Sequence, residues 1–248
     1  MPIKGLLLDL DGTLYVGEEP VPGAREAVQR LKAAGLALRY VTNTTRMPRR
    51  AVVEGLRAFG FEATEDKVFT PARAAARLMR NKSCLALVDE SLLEDLKCIT
   101  LTEESPDFVL VGDLGEGFTY ARLDAAFNCL MNGAKLVALQ KNRYWRTSGG
   151  LSLDAGPFVA ALEYATGQQA AVVGKPEEAF FRIALEDLRL EAGEVAMVGD
   201  DAEADVAGAQ AAGLKGIQVK TGKYHPGMEG SPDLAVQSFA RLPEALGF

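Results

Sequence analysis

Residues 3–8 form a short apolar run that stops at Asp9. Runs of this length, without the alternation of a half-exposed strand, fit strands buried on both faces of a parallel sheet. The pattern predicts a strand with Asp9 at its carboxyl end. After Val21-Pro22-Gly23, the residues Ala27, Val28, Leu31 and Ala34 share one face of a helix over 24–34, and Gly35 supplies its stop. A second strand over 36–41 runs into Thr42-Asn43-Thr44-Thr45, and Val52, Val53, Leu56 and Phe59 mark the apolar face of a helix over 48–59. The same alternation returns late in the chain, with strands at 171–173, 195–198 and 216–219 separated by helices near 177–188 and 205–212. This is the grammar of a doubly wound α/β sheet.

Between these halves, 85–88, 108–111 and 136–139 read as further strands, and 119–131 reads as a helix. Thr119 is suited to cap that helix, and Phe118 and Leu123 to staple it. Composition does not shift along the chain, so the middle segment fits an inserted domain or a continuation of the same sheet. With 248 residues, 48% of them apolar, either arrangement has enough chain to bury a core.

Acidic residues exceed basic ones by 34 to 27, and the net charge of -7 argues against a nucleic-acid or anionic-membrane surface. A local basic pocket for a small anionic substrate stays compatible with it. Cys84, Cys98 and Cys129 are odd in number and lack the spacing of a zinc site or a disulfide framework. The opening apolar run is far shorter than a membrane span and has no cleavage pattern, so a cytoplasmic protein is expected. The single histidine, His225, stands beside Pro226-Gly227 in an expected surface loop. Acid–base chemistry therefore falls to carboxylates.

Four predicted strand ends carry polar clusters: Asp9 with Asp11, Thr42 with Asn43, Lys175, and Asp200-Asp201 with Asp205. Ligands of open α/β sheets gather at such ends. Carboxylates brought together raise one another's pKa unless a cation sits among them, and hard oxygen ligands suit Mg2+. One carboxylate can then attack phosphorus while a second protonates the leaving oxygen and later activates water. Asp9 and Asp11 are two apart in extended chain and point the same way, and Gly12 permits the turn that follows. Lys175, Thr42 and Asn43 offer donors to a phosphate, and Asp200 completes a metal shell. Asp205, placed at the start of a helix, reads as an orienting neighbour of the metal ligands or as a cap. Arg143-Tyr144-Trp145-Arg146 reads as cover for apolar surface or as a substrate lid, and Asp201 as an exposed turn residue.

Leu8-Asp9-Leu10-Asp11-Gly12-Thr13-Leu14, Val41-Thr42-Asn43, Val173-Gly174-Lys175-Pro176 and Val198-Gly199-Asp200-Asp201 with Asp205-Val206, in this order, resemble the haloacid dehalogenase superfamily of phosphotransferases. Pro22-Gly23-Ala24, Gly156-Pro157-Phe158 and 220–224 extend the resemblance to its NagD-type branch. The resemblance implies a Rossmann-like parallel-sheet core from residues 1–77 and 175–248, and an inserted α/β cap from 78–174. It implies Asp9 as nucleophile and metal ligand, and Asp11 as acid/base that also ligates metal through its main-chain carbonyl. Asp200 would be the remaining ligand for Mg2+, and Thr42, Asn43 and Lys175 would hold the phosphate. A phosphatase acting on a small phosphate monoester, phosphoramidate or pyrophosphate follows, with a homodimer through an apolar cap face as a compatible assembly. A protein that senses phosphate without turnover is the alternative, and the intact Asp11 counts against it. Where many relatives of this branch carry Thr-Asn-Pro-Asp in the cap, this chain has Leu139-Gln140-Lys141-Asn142-Arg143-Tyr144-Trp145, which leaves substrate choice open.

Overall fold

The structure is a computed structural model that describes residues 2–147, 150–225 and 230–248, with the side chains of residues 145–147 outside that description. The chain divides into two units: Met1–Thr42, Arg49–Phe69 and Lys175–Phe248 form the first, and Asn43–Pro48 with Thr70–Gly174 form the second. The middle of the chain is thus a separate unit. Its longer stretch, Thr70–Gly174, includes the helix Pro71–Leu78.

The first unit is built on a six-stranded sheet in the order Leu234–Val236, Lys215–Val219, Val195–Gly199, Gly5–Asp9, Ala37–Val41, Val68–Phe69, with every neighbouring pair parallel. Gly5–Asp9 is central and every residue in it is buried, which explains its unalternated sequence. Leu6 and Leu8 join Tyr40, Val28, Leu31 and Leu56 in one apolar cluster, and Leu7, also wholly buried, points to the other face. The helices Ala24–Ala33 and Arg49–Ala58 present Val28 and Leu31, and Val52, Val53 and Leu56, to that cluster. The register that pairs Asp9 with Val41 sets the end of the first strand beside the start of Thr42.

The second unit holds a five-stranded parallel sheet in the order Ala171–Val172, Lys135–Ala138, Phe108–Val111, Ser83–Leu87, Thr100–Leu101. The helices Tyr120–Met131 and Ala155–Thr166 cover one face through Ala126, Leu130, Val159 and Leu162. Thr119 Oγ1 accepts from Arg122 N–H at 3.3 Å, and Phe118 stacks on Phe158 with ring centroids 3.8 Å apart. Ala171–Val172 belongs here, paired to Val137 and Ala138, not in the sheet of the first unit. Its two residues precede Lys175 in sequence, and a two-residue strand carries no signal of which sheet it joins. Two antiparallel hairpins, Tyr15–Val16 with Glu19–Pro20 and Tyr144–Thr147 with Gly150–Leu153, were also not predicted from the sequence. Tyr144 and Arg143 are exposed, whereas the Trp145 and Arg146 side chains lie outside the described residues, as do Pro226 and Gly227. Among the described residues no helix is long and apolar enough to cross a membrane.

At the sheet edge, Asp233 accepts from Lys215 Nζ at 2.7 Å, Gln210 Nε2 at 3.0 Å and Gly216 N–H at 2.9 Å. The lysine contact first, then the two others, hold its carboxyl down at about 2. A folded-state pKa below the unfolded value of about 3.9 gives stability that is present above the latter and lost as pH falls through the former. Asp233→Asn should therefore be less stable than the parent at pH 7, by under about 1 kcal/mol because the group is exposed. Urea midpoints measured from pH 7 to pH 2 should converge below about pH 4; a gap unchanged at pH 2 would exclude the charge as its cause.

Candidate active site

The first strand delivers Asp9 to its carboxyl end, and the Val195–Gly199 strand beside it delivers Asp200. The turn after Asp9 is tight: Gly12 has φ +93°, and a Cβ there would overlap the Asp200 carboxylate. A Cβ on Gly199 would likewise overlap the Asp205 carboxylate. Glycine at both positions lets the main chain close on the acids.

Asp205 is not at a helix start. The helix begins at Ala202, capped by Asp201, whose Oδ1 accepts from Glu203 N–H at 3.0 Å and Ala204 N–H at 2.9 Å. Asp201 is accordingly half-buried and engaged, not an exposed turn residue. Val206 N–H reaches back to Asp201 O at 3.2 Å, the five-residue spacing of a π-type turn. That turn leaves Asp205 buried, with 1% exposure.

Lys175 Nζ lies 2.6 Å from Asp9 Oδ1 and 2.6 Å from Asp205 Oδ1. All three side chains are buried. Burial raises the Asp9 carboxyl above its usual range against the pull of Lys175, and raises Asp205 to about 7 by the same cause. The two carboxylates outweigh burial at Lys175 and keep the ammonium charged. Asp205 Oδ2 also accepts from Asp201 N–H at 3.2 Å, so both its oxygens are engaged. Asp200 Oδ2 accepts from Lys223 N–H at 2.6 Å, and burial raises its carboxyl. Among the described residues, Asp9, Asp200 and Asp205 bring carboxylate oxygens within 4.8 Å of one another, close enough to share a metal ion. Asp11 is exposed, and its Oδ1 accepts from Gly17 N–H at 3.1 Å.

Thr42, half-buried, donates its N–H to Phe69 O at 3.3 Å in the first unit. Asn43 belongs to the second unit, where its Oδ1 comes to 3.3 Å of the position a Cβ would take on Gly174. Tyr15 and Lys223 were not predicted from the sequence. Burial, then Asp11 and Asp9, push the Tyr15 phenol up to about 12. The Thr221 hydroxyl donates to Gly12 O, tying the 221–223 loop to the turn. His225 is exposed.

A parallel sheet with Asp9 and Asp200 at adjoining strand ends, and a buried lysine bridging Asp9 and Asp205, is similar to a haloacid dehalogenase-like site. The family model for haloacid dehalogenase-like hydrolases matches residues 6–102, and a second HAD-hydrolase-like model matches 172–242. The chain is 44% identical over 243 residues to haloacid dehalogenase-like hydrolase domain-containing protein 2 of Bos taurus, covering 96% of this chain and 93% of that one. It is 40% identical to the phospholysine phosphohistidine inorganic pyrophosphate phosphatase of Danio rerio, over 96% and 90% of the two chains. The solved structure of NagD from E. coli K-12 superposes with a TM-score of 0.86 at 27% identity, over 97% and 98%. The chain belongs to the haloacid dehalogenase-like hydrolases, in the NagD-like branch.

Removing the lysine would leave Asp9 and Asp205 buried without their cation. Lys175→Met should lower the unfolding free energy by about 3–5 kcal/mol in urea titrations with EDTA present. A loss below about 1 kcal/mol would show that the two ion pairs contribute little.

Proposed function

We infer that the chain is a Mg2+-dependent phosphatase that passes a phosphoryl group through Asp9. The observation that carries this reading is Lys175 held 2.6 Å from Asp9 with Asp200 close by. The donor set fits the metal: three buried carboxylates cluster where one buried lysine meets two of them, and the excess negative charge of hard oxygen donors suits a small divalent cation. Asp9, Asp200 and the main-chain carbonyl of Asp11 are assigned as its ligands. Asp205, with both oxygens engaged, positions Lys175 instead. Bound Mg2+ would neutralise the charge of the phosphoryl oxygens and of the acids around them.

The chain's own groups supply the remaining steps. An Asp9 oxygen forms a bond to phosphorus as the bond to the leaving atom breaks, an oxygen in an ester or pyrophosphate and a nitrogen in a phosphoramidate, giving an aspartyl-phosphate. Asp11, exposed where Asp9 is buried, gives its proton to the leaving oxygen or nitrogen and then takes one from the water that cleaves the intermediate. Thr42, Asn43 and Lys175 hold the phosphoryl oxygens. The substrate class is a small phosphate monoester, phosphoramidate or pyrophosphate. The name of the Danio rerio relative, which spans phospholysine, phosphohistidine and pyrophosphate, supports that breadth.

A panel of p-nitrophenyl phosphate, phospholysine, phosphohistidine and pyrophosphate with Mg2+ tests the reading by phosphate release, and silence across the panel would reject it. EDTA should abolish release and added Mg2+ restore it. Asp9→Asn should lower kcat by at least about 10^3-fold with the fold intact by circular dichroism. Asp11→Asn should lower kcat by about 10^2- to 10^4-fold, in line with general acid–base catalysis. Undiminished turnover in either variant would remove that residue from the mechanism.

A further inference from the structure

The Ser83–Leu87 strand of the second unit is paired along one side but only at its start on the other. Phe108–Val111 pairs it from Cys84 to Leu87, whereas Thr100–Leu101 meets Ser83 and Cys84 alone. The ladder fixes where its polar groups point. Gly112 N–H donates to Leu87 O at 2.9 Å, and on the opposite side Thr102 N–H donates to Cys84 O at 3.0 Å. Alternation then turns the N–H and C=O of Ala86 to the same side as those of Cys84, past the point where the edge strand has ended. Among the described residues neither group has a main-chain partner there.

This edge opens into a groove of about 420 Å³. Leu93, from the segment Glu90–Leu96, and Leu114 and Ala125, the latter on the Tyr120–Met131 helix, give it apolar walls. Glu90 and Glu103, both exposed, add negative charge. Arg122, the one cation lining it among the described residues, has a guanidinium nitrogen 3.4 Å from Gly117 O.

The geometry points to strand addition: this edge takes up an extended peptide segment of another protein, one that carries lysine or arginine next to a small apolar side chain. Ala86 supplies a donor and an acceptor to the incoming backbone, the walls take the apolar side chain, and Glu90 and Glu103 take the cation. A second copy of this chain is a poorer occupant. Antiparallel pairing about Ala86 would set the Glu90 end of one copy against the Glu103 end of the other, acid on acid.

The probe is a short fluorescein-labelled peptide of alternating lysine and valine, titrated with the full chain by fluorescence polarisation. Saturable binding is expected, with slowed hydrogen exchange at the Ala86 amide. N-methylation of the peptide backbone should abolish binding. The double variant Glu90→Lys, Glu103→Lys should weaken it by roughly tenfold with an unchanged melting temperature, since two exposed ion pairs are replaced by repulsions. Absence of saturable binding would overturn the inference, as would binding indifferent to N-methylation or to the charge reversal. Protection of Ala86 that grows with protein concentration in the absence of peptide would assign the edge to a second copy and overturn it equally.

Discussion

The Lys175 ammonium, buried 2.6 Å from both Asp9 and Asp205, is the contact around which the first unit's chemistry is arranged. Three segments far apart in sequence meet on it: the end of the first strand, the residue that returns the chain to the first unit, and the wide turn after Val195–Gly199. Taking these charges out of water costs several kcal/mol per ion, and only close, well-oriented partners offset it. The balance is also uneven, since Asp200 adds a third buried carboxylate to one lysine. That excess of negative charge is the physical reason for assigning a divalent cation to the site.

Main-chain geometry then sets which groups each acid can meet. Gly12 and Gly199 let the backbone press against Asp200 and Asp205, where any side chain would collide. The π-type turn moves Asp205 from a capping position into the interior and commits both its oxygens, one to Lys175 and one to Asp201 N–H. Asp9 and Asp205 therefore share the Lys175 ammonium, while the second oxygen of Asp205 is also held by the main chain. Asp11, two residues from Asp9, remains exposed, with its Oδ1 accepting from Gly17 N–H, and exposure suits the proton exchange with substrate and water proposed for it.

Much of this was legible in the chain because burial on both faces of a parallel sheet leaves an unmistakable mark. Gly5–Asp9 and Val195–Gly199 are wholly buried, and their apolar runs stop where the acids begin. What escaped sequence reading has physical causes. Ala171–Val172 is too short to declare its sheet, and the Tyr15–Val16 hairpin is held by pairing, not by apolar periodicity. Asp205 looked like a helix start because the helical period predicts 3.6 residues per turn, and a π-type turn breaks that period. Lys223 meets Asp200 through its main-chain N–H, a contact that no side-chain type can announce.

In the proposed reaction phosphorus becomes bonded to Asp9 and to no other carboxylate. Borohydride reduces an acyl phosphate to an alcohol, so quenching the Asp11→Asn variant with borohydride during turnover and mapping the peptides by mass spectrometry reads the site directly. Asp9 is expected to be converted to homoserine only when substrate and Mg2+ are both present. Reduction at Asp200 or Asp205, or turnover with every carboxylate left intact, would contradict it.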